Sequence, residues 1–259
     1  MAQAAMITGY DRGYVDIAAL TVPIMRSYAK RHGLVFYAEV FTATERAPSW
    51  SKIPAIKRAL ARRYDPVIWI DADALIVRPD LDIQDGADPS KDILVDPFYN
   101  AGVMLIRNTP WSDSVLDTVW NNQLVPEHAS WDNAAFLYTL GYRRWLGRGE
   151  DDCPNEDVRS HIGQLDARWN RLPLVQPSNG AFIRHYAGLP LRARVALIRR
   201  DIAIPFYGLI ASPASRLAHR VFTFDERMSR KAVAARIPAW YYGRQIAGRI
   251  LRSLLSPVF

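Results

Sequence analysis

The sequence predicts an α/β fold with a Rossmann-like, mostly parallel sheet flanked by helices. Three observations predict it. The 259 residues, 49% apolar and 23% charged, have the length and composition of a globular chain with a sizeable core. The chain opens on strand, helix, strand at the spacing of a right-handed βαβ unit. A later strand is apolar on both faces of its pleat, as in a sheet covered by helices on both sides.

Ala5 to Thr8 form a short apolar run ending at Gly9, the first strand. Ala18, Val22, Met25, Tyr28 and His32 then recur at helical spacing, and Gly33 is a suitable stop. Leu34 to Val40 read as the second strand. A second helix is expected from Ser51 to about Tyr64, capped by Ser51, with Pro54 tolerated in its first turn and Ile53, Ile56 and Leu60 on one face. The doubly apolar strand is Val67-Ile68-Trp69-Ile70, and Asp71-Ala72-Asp73 follows it directly. Further on, a strand over Val103 to Arg107, a helix from about Asp132 to Leu140 and irregular chain from Arg148 to Arg159 are expected.

Bulk properties exclude several classes. A single cysteine, Cys153, rules out an internal disulfide framework and a cysteine-based zinc site. No apolar run approaches the ~20 residues that span a bilayer, and the longest, Ile202 to Ala211, contains Pro205. The N-terminus has no basic run ahead of a long apolar stretch. These features lead us to expect a cytoplasmic protein, free or on a membrane surface. The net charge of +7 is uneven: from Pro190 onward there are 13 Lys+Arg against 3 Asp+Glu.

The Asp71-Ala72-Asp73 turn carries the chemistry. Ligands of open α/β sheets bind at the carboxyl ends of the strands. Two carboxylates one residue apart at such an end can both reach one divalent cation, and oxygen ligands suit magnesium or manganese. The exit of a buried strand is otherwise a costly place for two anions.

In this region the sequence resembles the galactosyltransferase and xylosyltransferase family typified by yeast α-mannan galactosyltransferases. The blocks are Tyr28-Ala29-Lys30-Arg31-His32-Gly33, Trp50-Ser51-Lys52, Tyr64 to Ile76, Asn100-Ala101-Gly102-Val103 through Ile106-Arg107-Asn108 to Trp111-Ser112, Asp132 to Phe136, and His185-Tyr186-Ala187-Gly188. They arrive in the family's order across roughly residues 5 to 190. The resemblance implies a GT-A fold, a nucleotide-sugar donor, UDP-linked by preference, and Mn2+ (or Mg2+).

It implies Asp71, Asp73 and His185 as metal ligands, with Ala72 backing the ribose and Lys52 reaching the diphosphate. Thr8, Gly9 and Tyr10 would hold base and ribose, Gly9 through close backbone approach. Asn100 would bond sugar hydroxyls beside a backbone opened by Gly102, and Gly188 belongs to the closing donor-binding block. Asp132 would serve the acceptor hydroxyl or an oxocarbenium-like transition state; as an alternative, it is a helix N-cap. Asn133 departs from the family's glutamine. Retention of anomeric configuration is likewise implied by the resemblance.

Residues 1–190 are thus expected as the catalytic domain and 191–259 as a helical, basic, aromatic extension. From Trp240, Arg244, Gly248 and Arg252 share one helical face, with Tyr241, Ile246, Ile250 and Leu254 elsewhere. That pattern fits an interfacial helix on anionic lipid or a helix packed on protein. Membrane placement would suit a lipid-linked glycan acceptor in bacterial envelope assembly. No nucleic-acid recognition motif accompanies the charge. A sugar-nucleotide nucleotidyltransferase is the competing enzyme class, but Thr8-Gly9-Tyr10-Asp11-Arg12-Gly13 is a poor glycine-rich loop. A non-catalytic scaffold of the same fold is the other competitor.

Overall fold

The computed structural model describes residues 2–42, 46–123, 131–142, 156–172 and 180–203. Its main sheet has six strands in the order β2-β1-β3-β6-β5-β7, from β1 (Ala5–Tyr10), β2 (Val35–Val40), β3 (Val67–Ile70), β5 (Ile93–Val95), β6 (Val103–Ile106) and β7 (Ile162–Gln164). β1 pairs in parallel with β2 and β3, and β5 with β7, whereas β6 runs antiparallel to both β3 and β5. Only β6 of these six strands is therefore reversed. Its reversal places the start of β6 beside the end of β3, where the Asp71 N–H donates to the Gly102 carbonyl at 2.8 Å.

The pleat of β3 explains the layering. Val67 and Trp69 face one core, with Ile53, Ile56 and Leu60 of α2 (Lys52–Ala61), Leu116 of α3 (Pro110–Trp120) and Phe136 of α4 (Trp131–Thr139). Ile68 and Ile70 face the other, with Met25 and Tyr28 of α1 (Val15–Arg31). All four β3 side chains are buried, and each large apolar side chain so buried is worth about 1.5–3 kcal/mol.

A second, two-stranded sheet pairs β4 (Ala74–Ile76) with β8 (Ile183–His185). Its antiparallel register sets Ala74 opposite His185, carrying a residue from far down the chain to the Asp71-Ala72-Asp73 turn.

Several local expectations change. Ser51 makes no side-chain cap, because Pro48–Ser51 already form a 3-10 turn that runs into α2. Within the stretch expected to be irregular, Glu156–His161 form the short helix α5, and the preceding residues 143–155 lie outside the described ones. α3 begins where Thr109 accepts a hydrogen bond from the Ser112 N–H and Pro110 occupies the first turn.

α6 (Leu191–Ala203), the first part of the basic extension, packs against the domain. Ile198 joins Ile17, Leu75, Tyr186 and Leu189 in a small core. Asp201 pairs with Arg184 at 2.7 Å and accepts from the Tyr186 hydroxyl. The expected amphipathic helix after Trp240 lies outside the described residues. Among the described residues, no helix is long and apolar enough to cross a membrane.

Candidate active site

Asp71, Ala72 and Asp73 leave β3 in a turn closed by the Ala74 N–H donating to the Asp71 carbonyl at 2.9 Å. Helix α1 supports it, since the Thr21 hydroxyl donates to the Ala72 carbonyl at 2.7 Å. The two carboxylates then meet different partners.

Asp71 Oδ1 accepts from the Trp69 indole N–H at 2.7 Å and lies 2.9 Å from Lys52 Nζ. Its other oxygen, Oδ2, is 3.6 Å from His185 Nε2. Asp73 Oδ1 lies 3.3 Å from the same Nε2, and Asp73 Oδ2 is 2.7 Å from Arg194 Nη1. Burial pushes the Asp71 carboxyl above its ordinary range, against the opposing charge of Lys52. Burial acts the same way on Asp73, but His185 in its protonated form, together with Arg194, outweighs it and holds that carboxyl at about 2.

Asp71, Asp73 and His185 each offer one ligand atom, and the three atoms lie within 4.8 Å of one another. The residues fit a divalent cation. Three carboxylates (Asp71, Asp73, Asp132) meet two fixed cations, Lys52 and Arg194, so negative charge is left over at a largely buried place. Two carboxylate oxygens and an imidazole nitrogen are a donor set suited to manganese or magnesium.

Lys52, expected to reach the donor diphosphate, has its ammonium among acceptors of the chain itself. It is buried, with Nζ 2.9 Å from Asp71 Oδ1, 2.9 Å from Asp132 Oδ2 and 3.1 Å from the Ala101 carbonyl. An ammonium has three donors, and these three acceptors engage them all. Burial opposes its charge, but the Asp132 and Asp71 carboxylates prevail and raise its pKa. Asp132, near the start of α4, is correspondingly the buried counter-charge of Lys52. Neighbouring Asn133 accepts from the Ala101 N–H at 2.7 Å, tying α4 to the loop before β6.

Asn100 sits in that loop. Asp96, fully buried, accepts from the Asn100 N–H at 2.7 Å and the Phe98 N–H at 3.2 Å. Asn100 Oδ1 accepts from the Gly102 N–H at 2.9 Å. The space over Gly102, expected to open the backbone to the donor sugar, is filled by the His185 ring: a Cβ there would lie 2.0 Å from Cε1. Likewise Gly9 is covered by the Phe41 ring, 2.1 Å from where a Cβ would stand. Thr8 is buried at the same strand end, and its Oγ1 has no hydrogen-bond partner among the described residues. Tyr10 closes β1, where its carbonyl accepts from the Phe41 N–H at 2.7 Å. Gly188 takes a positive φ of 75° in the turn between β8 and α6, a conformation that favours glycine.

Trp69, Tyr14 and Arg194 were not expected at the site. Trp69 is two residues before Asp71, so strand periodicity carried that signal. Arg194 reaches in from α6, held by its hydrogen bonds to the Leu189 carbonyl and the Tyr14 hydroxyl. Burial pushes the Tyr14 phenol up to about 12, so it stays neutral beside the two carboxylates. Only tertiary packing reveals this pair.

Comparisons with known proteins agree with the geometry. Residues 24–89 match the sequence pattern of the galactosyl transferase GMA12/MNN10 family. A probable glycosyltransferase 6 of Oryza sativa subsp. indica is 26% identical over 231 residues, 81% of this chain and 44% of that protein. An uncharacterized alpha-1,2-galactosyltransferase of Schizosaccharomyces pombe is 31% identical over 172 residues, 62% of this chain and 41% of its own. The chain thus spans less than half the length of these curated relatives. Among solved structures, a glycosyltransferase involved in the glycosylation of the major capsid of PBCV-1 superposes with a TM-score of 0.59 at 15% identity, covering 76% of this chain and 99% of that one. Over residues 24–89 the chain is similar to the galactosyl transferase GMA12/MNN10 family, and its fold is of the GT-A type.

Proposed function

We propose that the chain is a glycosyltransferase that moves a hexose or pentose from a nucleotide sugar, UDP-linked by preference, to a carbohydrate or lipid-linked glycan. The convergence of Asp71, Asp73 and His185 at the carboxyl end of β3 carries this reading. Mn2+ or Mg2+ held by those three residues would neutralise the donor diphosphate and the charge that develops on it.

The chain's own residues supply the rest. Arg194 adds a fixed positive charge beside Asp73, which favours an incoming diphosphate. Lys52 and Trp69 hold Asp71 Oδ1, which leaves Oδ2 turned toward the cation site. With Asn100 Oδ1 committed to Gly102, the amino end of that side chain is left to donate to a sugar hydroxyl. Asp132 is buried against Lys52 rather than open to an acceptor, so the departing phosphate is the better base for the acceptor proton. Proton and glycosyl group then exchange on one face of the sugar, which supports retention. The division into a catalytic domain and an extension that meets an anionic membrane from the cytoplasmic side belongs to the same proposal.

Calorimetry with UDP, with and without Mn2+, tests it on the wild type and on Asp73→Asn. Mn2+-dependent UDP binding weakened by about 100-fold in the variant is expected, at least the upper end of losses seen for residues behind metal ligands. If neither UDP nor GDP binds with Mn2+ present, the reading fails.

A further inference from the structure

We propose that Asn170 is a positioning residue that sets the tautomer of His185 and links the cation site to Asn100. The proposal rests on reading Asp71, Asp73 and His185 as that site.

Asn170 is fully buried at the end of a 3-10 turn, Ala167–Asn170. Backbone hydrogen bonds clamp this turn to β8: Phe182 N–H to the Arg168 carbonyl at 2.7 Å, Arg171 N–H to Ile183 at 3.0 Å, and His185 N–H to Arg171 at 2.8 Å. Both ends of the Asn170 amide are engaged. Nδ2 lies 3.0 Å from the Asn100 carbonyl and 3.1 Å from Asn100 Oδ1, and Oδ1 lies 2.9 Å from His185 Nδ1.

The chemistry of these neighbours permits one arrangement. A backbone carbonyl only accepts, so the Asn100 carbonyl requires the amino end of Asn170. The Asn100 side-chain atom facing it is also an oxygen, because the Gly102 N–H donates to it. The oxygen of Asn170 must therefore face His185. An amide oxygen cannot donate, so His185 Nδ1 carries the hydrogen, and in the neutral ring Nε2 carries the lone pair. Nε2 is the atom turned toward Asp71 and Asp73. Two backbone groups, the Asn100 carbonyl and the Gly102 N–H, thus dictate through Asn170 which imidazole nitrogen can ligate. Gly102 also leaves the space in which the ring lies.

Without Asn170 the preference reverses. Nε2–H would donate to Asp73 Oδ1, 3.3 Å away, and the ligand lone pair would be lost. Long-range 1H–15N correlation of the imidazoles in the full-length, metal-free chain reads this directly. In the wild type, His185 should be protonated at Nδ1. In Asn170→Leu the proton should move to Nε2, and Mn2+ affinity should fall by about 10–100-fold. Asn170→Asp keeps an acceptor for Nδ1–H, and as the neutral acid it also keeps a donor toward the two Asn100 oxygens, so it should keep the wild-type tautomer; this separates the role from simple loss of packing.

A wild-type ring protonated at Nε2 would overturn the proposal. So would a folded Asn170→Leu with Nδ1–H and unchanged Mn2+ affinity, or an Asn170→Asp ring that switches tautomer. If the wild type binds no Mn2+ at all, the proposed function fails with the affinity arm, while the tautomer still decides the role of Asn170.

Discussion

Two lysines five residues apart on α2 each stand between two aspartates, and they do different work. Lys52 meets Asp71 and Asp132; the lysine and Asp132 are buried, at 4% and 6% exposed, and Asp71 keeps 25% of its side chain open at the site. Lys57 meets Asp113 at 3.1 Å and Asp117, and all three side chains are substantially exposed, the lysine at 28% and the aspartates at 54% and 51%. The charge pattern is the same; the surroundings are not. At the surface, water already solvates all three ions and the pairing adds little. Around Lys52 and Asp132 little water competes, so removing one ion leaves its buried partner poorly solvated. The buried triad also joins three elements, α2, the end of β3 and α4, at the place where the proposed donor binds.

Removing the buried cation should cost the most stability. Lys52→Met keeps the apolar stem of the side chain but strands two carboxylates, one of them, Asp132, with a buried Oδ2. Breaking a buried pair in this way costs about 3–5 kcal/mol. Urea denaturation should show a loss of that size. Adding Asp132→Leu should recover part of it, because one stranded charge goes with the lysine. If the double variant is no more stable than Lys52→Met, the triad is not the coupled unit described here.

Asp96 is a buried carboxylate with no cation at contact distance among the described residues. It accepts two backbone N–H groups, yet burial outweighs them and pushes its carboxyl up to about 7. Its folded pKa lies above the unfolded one. Its contribution to stability is therefore complete below about pH 4 and is lost as pH rises toward 7. A shift of about three units caps the loss at roughly 4 kcal/mol. Asp96→Asn keeps an oxygen for the same N–H groups and cannot ionise. The stability difference between variant and wild type should move in the variant's favour from pH 4 to pH 8. A difference that stays flat would show that Asp96 ionises freely in the folded chain.

Much of the site was legible because its signals are local. The doubly apolar β3, the carboxylates at its exit and the α1 face of Ala18, Val22, Met25 and Tyr28 depend on neighbours a few residues away, and all appear as expected. The assignment of His185 to the site came from resemblance; the structure supplies the physical link, the pairing of β4 and β8. Those strands have three residues each, too few to show a period. Nothing in the order of residues separates Lys52 from Lys57, because burial is decided by aspartates on other elements. Asp132 shows the same limit: its position near a helix start fits a cap, and only packing reveals it as a counter-ion. The Thr109-Pro110 start of α3 was readable in principle, since a threonine followed by proline is an ordinary helix opening.

The smallest effect belongs to the exposed triad and is the strictest test of the comparison. Lys57→Met removes the cation between Asp113 and Asp117, which then face each other as like charges four apart on α3. That repulsion costs about 0.2–0.5 kcal/mol in a helix, and exposed pairs of this kind contribute about 0.2–1 kcal/mol. The total loss should therefore stay below about 1.5 kcal/mol at low salt. It should also nearly vanish in 1 M NaCl, where the screening length is about 3 Å. The Lys52→Met loss should persist under the same conditions, because salt does not reach a buried pair. Denaturation of both variants at two salt concentrations separates the cases. If the two losses respond equally to salt, burial is not what distinguishes the lysines, and the assignment of Lys52 to a closed interior triad falls with it.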